Sequence, residues 1–146
     1  MISGNDTLDA GRDPFLEALA AIPDAPPADH HRLLVFAIAG RTRCCDLDHV
    51  REIVPNQRTT RLPGAPRFVR GLINLRGNLV TVVDAALSLY GVPADESAGS
   101  ILLVESRGRI GGVLVDNVFD IQALPASEVD RLAVVELSSL VERALA

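Results

Sequence analysis

The sequence predicts a small, mainly β domain of the barrel or sandwich kind, and three observations carry that prediction. Short apolar runs recur along the chain, separated by turn signals at intervals of about 8–12 residues. Aromatic residues make up 3% of a chain that is 48% hydrophobic, so the core must be built from Val, Leu, Ile and Ala, which favours strands. The stretch 66–84, PRFVRGLINLRGNLVTVVD, sets two apolar runs around Arg76-Gly77-Asn78. Gly77 and Asn78 both tolerate positive φ, as a tight hairpin turn requires.

Residues 1–31 read as a leader outside the fold. Asp13-Pro14 is a good N-cap and N1 pair, and Phe15, Leu16, Leu19 and Ile22 share one helical face before Pro23, Pro26 and Pro27 stop the pattern. The choice between a flexible tail and a short docking helix stays open. The body, 32–146, begins with the buried strand LLVFAIAG, and Gly40-Arg41 turns it back into TRCCDL. Asp46 and Asp48 can cap a single turn carrying His49 and Val50, and an extended run at 52–54 stops at Pro55. The turn-rich 62–66 is expected to cross between sheets.

After the central hairpin, 85–90 reads as a helix ending at Gly91, a natural C′ residue. A loop at 92–99 leads into strands at 101–105, 110–115 and 119–124, with Arg107-Gly108 turning the first pair. The end is ambiguous. Residues 132–135 fit a strand, but Val134, Leu137, Leu140, Val141 and Leu145 recur at helical spacing, so a helix is assigned from about Val135.

Composition bounds the function. A chain of 146 residues is one domain's worth. A net charge of −5 and a pI near 5.1 argue against nucleic acid, which needs a basic stripe. No apolar run reaches membrane-spanning length and no basic leader precedes an apolar segment, so the expectation is a soluble, cytoplasmic protein with no direct membrane insertion. Cys44 and Cys45 are adjacent, unlike a secreted disulfide framework, and strand alternation is expected to bury one of them. His49 sits near Asp46 and Asp48, but adjacent residues of a strand-turn point apart, so solvated loop charges are the better reading. Gly108, Gly111 and Gly112 open no helix and make no phosphate cradle, and no serine sits in a nucleophile motif. The expectation is no catalytic residue, no metal and no cofactor. A small hydrolase using Asp84, Asp116 and His49 is the rival from another class, and an assembly or localisation module is a third.

The stretch FVRGLINLRGNLVTVVD resembles the central signature of CheW-like domains, the coupling proteins of bacterial chemosensory arrays. The resemblance extends upstream through LDHVREIVP and LPGAP and downstream through GGVLVDNV, covering roughly 33–124 with a weaker echo at the end. It implies a pair of intertwined SH3-like β-barrels with a groove between them. The chain departs from the family pattern after Leu124, where roughly 20 residues, about two strands, are missing. The resemblance therefore implies a truncated second barrel, with the C-terminal helix partly covering the gap, as in short members of the FrzB kind.

The same resemblance implies a binding role. It puts the family's glutamate on Glu52 and its arginine on Arg76, paired across the groove that takes the receptor tip. Val50, Ile53, Leu75 and Leu79 become apolar groove residues, and Asn74 and Gly77 complete the NLRG motif. The implied partner is the cytoplasmic domain of a chemoreceptor, with other CheW-like proteins or a CheA-type histidine kinase as further partners. The implied function is a non-enzymatic adaptor associated with chemosensory arrays, coupled weakly or not at all to the kinase; a full coupler is the alternative.

Overall fold

The structure, a computed structural model, describes residues 29–95, 98–131 and 133–145. The leader helix expected near 13–22 lies outside the described residues. Eight strands are described: β1 (His30–Ile38), β2 (Arg41–Asp46), β3 (Val50–Pro55), β4 (Val69–Leu75), β5 (Asn78–Asp84), β6 (Ser100–Ser106), β7 (Arg109–Val115) and β8 (Asn117–Pro125). Two α-helices, α1 (Ala85–Tyr90) and α2 (Leu137–Leu145), complete the pattern. The mainly β expectation is met. β1 starts at His30, ahead of the apolar run, because His30 and His31 pair with Pro125 and Leu124 of β8.

The strands form two sheets, one ordered β2-β1-β8 and one ordered β3-β6-β7-β5-β4. Most pairings are antiparallel, but β5 and β7 run parallel, with Val83 opposite Val113. The five-stranded sheet has β3 and β4 as its edges, and the linker between them bridges back to the β4 edge. Thr60, beyond the end of β3, exchanges two 2.8 Å backbone hydrogen bonds with Leu72 of β4. The linker 56–68 thus joins two edges of one sheet and does not cross between sheets, contrary to the reading of its turn residues. The resulting near-barrel is filled by Val54, Ile73, Val80, Val82, Ile101, Leu103 and Leu114.

The larger core lies on the outside of that near-barrel. Leu34, Phe36 and Ile38 of β1 meet Val83, Leu102, Val104, Val113 and Val115, and Leu137, Leu140 and Val141 of α2 join them. Alternation along each strand sorts side chains between the two cores. Gly111 lies under α2 because a Cβ there would come within 2.5 Å of Val141.

The three-stranded sheet combines the first two described strands with β8 and is not closed into a barrel among the described residues. Its β2 edge is covered by the chain itself: Cys44 donates to Ala133 O and Val135 donates to Cys44 O, both at 2.8 Å. The expectation that the C-terminal helix would cover this edge is corrected, since α2 packs on β5, β6 and β7. The same strip explains a second correction. Cys44 and Cys45 are both buried, at 8% and 1% exposure, because Cys45 belongs to the larger core while the 133–135 segment lies along the strand at Cys44.

Hairpin chemistry is uniform. Ala39-Gly40, Arg76-Gly77 and Arg107-Gly108 each link two strands with positive φ at both residues, the mirror-image turn that matches strand twist. The central turn is therefore Arg76-Gly77, and Asn78 already belongs to β5, one residue away from the sequence reading. Asp84 is not a solvated charge. It is 1% exposed, caps α1 by accepting from Leu87 N at 3.1 Å, accepts from Ala94 N at 2.9 Å, and lies 3.7 Å from Arg70.

Candidate binding site

The mouth of the near-barrel is where sequence and geometry converge. β3 carries Glu52 opposite Leu103, on the same face as Val54 and therefore on the barrel's inner side. β4 ends with Leu75, which packs against the same inner core, and the chain then reverses through Arg76-Gly77. Asn74 Oδ1 accepts from Gly77 N at 2.9 Å and fixes that turn. Arg76 adopts a φ of 52°, a conformation that is costly for a residue with a Cβ. The turn thereby swings the guanidinium back over the barrel mouth. Its two terminal nitrogens donate to the two carboxylate oxygens of Glu52, at 3.0 and 2.5 Å.

This fork-to-fork pair joins residues 24 positions apart and locks the hairpin tip to β3. The hydrogen bonds from Arg76 hold the Glu52 carboxyl below its usual value of 4.5, and the attraction of the guanidinium adds to them. Glu52 is partly covered and Arg76 is mostly exposed, so the pair presents a charged, solvent-facing rim. A neighbouring pair, Arg51 with Glu105 at 2.6 Å, continues charge along β3 and β6.

The remaining residues of the implied site divide. Leu79 pairs across the hairpin with Asn74 and is 68% exposed, the most exposed of the large apolar side chains among the described residues. Glu52, Leu75, Arg76 and Gly77 gather at the inner side of the tip, whereas Leu79 and its partner Asn74 stand on the outer face of the same hairpin. Val50 is only 7% exposed and belongs to the larger core, so it packs the domain and offers no open surface. Ile53 is partly buried against that same core and lies on the opposite face of β3 from Glu52. Sequence matching placed Val50 and Ile53 with the tip because it registers proximity in sequence and not the alternation of faces.

Asp84 and Asp116, candidates for a hydrolase, are engaged structurally: Asp116 accepts from Gly40 N at 2.8 Å across the sheet, and Asp84 caps α1. Burial pushes the Cys45 thiol up to about 12, away from a reactive thiolate. Among the described residues, no group of three or more His, Cys, Asp or Glu is placed to hold a metal ion. No described helix is long and apolar enough to cross a membrane.

Comparison with known proteins adds an independent line. A family model described as "CheW-like domain" matches residues 32–144. The chain is 37% identical over 90 residues to the probable chemotaxis protein CheW of Rhizobium etli, covering 61% of this chain and 58% of that protein. It is 33% identical over 115 residues to chemotaxis protein CheW of Rhizobium meliloti, covering 78% and 73%. Protein PilI of Pseudomonas aeruginosa is 32% identical over 95 residues, covering 62% of this chain and 51% of its own length. Among solved structures, the scaffolding protein TtCheW from Thermoanaerobacter tengcongensis superposes with a TM-score of 0.61 at 27% identity, over 68% of this chain and 69% of that one. A mainly β architecture of two sheets with a C-terminal helix, an Arg-Glu clasp at the hairpin tip and a family match spanning most of the chain agree: this protein belongs to the CheW-like domain family.

Proposed function

We propose that this protein is a chemosensory scaffold that binds the cytoplasmic signalling tip of a chemoreceptor through the surface around Glu52, Arg76 and Leu79. It works as an adaptor without catalysis or cofactor, in the cytoplasm and at receptor arrays. The single observation that supports this most is the Arg76–Glu52 clasp, which rigidifies a hairpin tip carrying an exposed leucine. A receptor tip is a helical hairpin whose amphipathic face needs an apolar anchor and a polar rim; the clasp supplies the rim, and Leu79, exposed on the outer face of the same hairpin, supplies the anchor. The names of relatives such as chemotaxis protein CheW support the same reading.

Within that reading, kinase coupling is weak or absent. A CheA-type kinase offers its own CheW-like domain, and end-to-end docking would need an apolar patch from the second barrel. Specific complexes bury about 1,200–2,000 Å² in total. Here the second sheet has three strands, β2-β1-β8, and a single strip at 133–135 beside it. Full coupling is the alternative, favoured by the 73% coverage of a chemotaxis protein CheW. Offering a receptor signalling domain and a kinase regulatory domain separately to the immobilised protein tests the proposal. Retention of receptor alone supports it, retention of both moves the assignment to a full coupler, and retention of neither overturns the scaffold reading.

A further inference from the structure

A second surface lies away from the hairpin tip. Two adjoining cavities, of about 400 and 380 Å³, share the wall formed by Val134, Val135 and Glu136. The first opens at His31 and Leu33, where the chain enters β1. The second has an apolar floor of Leu89, Val135 and Leu140 and a rim carrying Arg43 and Arg143.

The charge around this second cavity is unusual. Arg41 lies 4.1 Å over the Tyr90 ring, Arg43 donates to the Tyr90 hydroxyl at 2.8 Å, and Arg143 lies 5.0 Å over the Phe68 ring while donating to Ser88 Oγ. These three guanidiniums are held by neutral groups, and none has a carboxylate within ion-pair distance among the described residues. Aromatic stacking orients them, and Glu136 is the one carboxylate in the lining of the second cavity, against the two arginines Arg43 and Arg143. The cleft therefore suits an acidic segment with an apolar stripe.

The chain carries such a segment. Residues 1–28 contain Asp6, Asp9, Asp13, Glu17 and Asp24 against Arg12 alone, and Phe15, Leu16, Leu19 and Ile22 recur at helical spacing. The tether fits as well. Residues 23–29 can extend over about 23–25 Å. Arg43 pairs with Phe36, six strand positions from His30 or about 20 Å along β1.

We propose that residues 13–22 dock in cis in this groove, with their apolar stripe on Leu89, Val135 and Leu140 and their carboxylates facing Arg43 and Arg143. The occupant is this chain's own segment, because its acidic charge and its tether length both match the cleft. The docked segment would cover the flank beside the 133–135 strip and exclude other partners from that face.

Hydrogen exchange on the full chain tests this. Amides of residues 13–22 are expected to exchange about tenfold or more slowly than in a free peptide of the same sequence. That protection is expected to stay constant across about a hundredfold range of protein concentration, as an intramolecular contact requires. It should be lost in Arg43→Glu/Arg143→Glu and equally in Leu19→Asp, which alters no described residue. Adding Glu17→Arg to Arg143→Glu should restore part of it. Free-peptide exchange in the unsubstituted chain would overturn the proposal. So would protection that grows with concentration, which would identify a second copy as occupant, or protection that survives Leu19→Asp.

Discussion

Arg76 reaches Glu52 with both terminal nitrogens from a turn position whose φ of 52° disfavours any side chain. Ala39 and Arg107 hold the same φ in the other two hairpins, and what sets Arg76 apart is that its turn aims the guanidinium at Glu52. The pair also ties the first strand of the near-barrel to its central hairpin without passing through the core.

The pairing has a defined pH signature. Glu52 has a folded pKa below its usual 4.5, so its contribution is complete above that value and is lost as pH falls through the lowered one. A carbon-detected titration of the Glu52 carboxyl should show a midpoint below 4.5, and Arg76→Ala should return it towards that value. A midpoint unmoved by Arg76→Ala would separate the two residues in solution.

Closure of the five-stranded sheet rests on a glycine. Gly71 has a φ of 141°, and a Cβ there would sit 2.3 Å from Thr60 O, one of the two atoms that bridge the sheet edges. Gly71→Ala should cost about 2 kcal/mol or more, from backbone strain together with a broken bridge. Gly77→Ala meets no atom within 4 Å and should cost about 1 kcal/mol, the conformational part alone. Urea unfolding of both variants checks the order, and equal losses would remove the bridge from the account.

The thiols report on the strip that covers β2. Burial pushes Cys45 up to about 12 and raises Cys44 as well. At pH 8 both should resist a disulfide reagent in the folded protein and react only after unfolding. Reaction of either at the rate of a free thiol would mean that the 133–135 segment does not stay on the β2 edge.

Much of this architecture was legible in the sequence, and the exceptions have physical causes. The strands announce themselves as Val/Ile/Leu runs, and α1 is framed by Asp84 and Gly91 at its two ends. Asn78 tolerates positive φ better than Arg76, so local preference alone puts the hairpin turn one residue late. The register of Leu75 opposite Asn78 overrides that preference and forces Arg76 into the turn. The role of Thr60 is invisible locally, since it makes one long-range bridge with no periodic pattern, while Val134 fits both a strand and the helical spacing and the bridge to Cys44 decides for the extended form. Parallel pairing of β5 with β7 likewise follows from closing the sheet and leaves no local mark. At the site, the residue types were readable, but their division between faces required the bulge between Val50 and Glu52.

The clasped tip is the proposed receptor-binding surface. The most direct test is a calorimetric titration of a receptor signalling hairpin into the protein and into Arg76→Ala, Leu79→Asp and the exchange Glu52→Arg/Arg76→Glu. Saturable binding is expected, weakened about tenfold or more by Arg76→Ala and by Leu79→Asp, and partly recovered by the charge exchange, with far-ultraviolet dichroism unchanged throughout. Binding that is indifferent to both single substitutions would contradict the proposal.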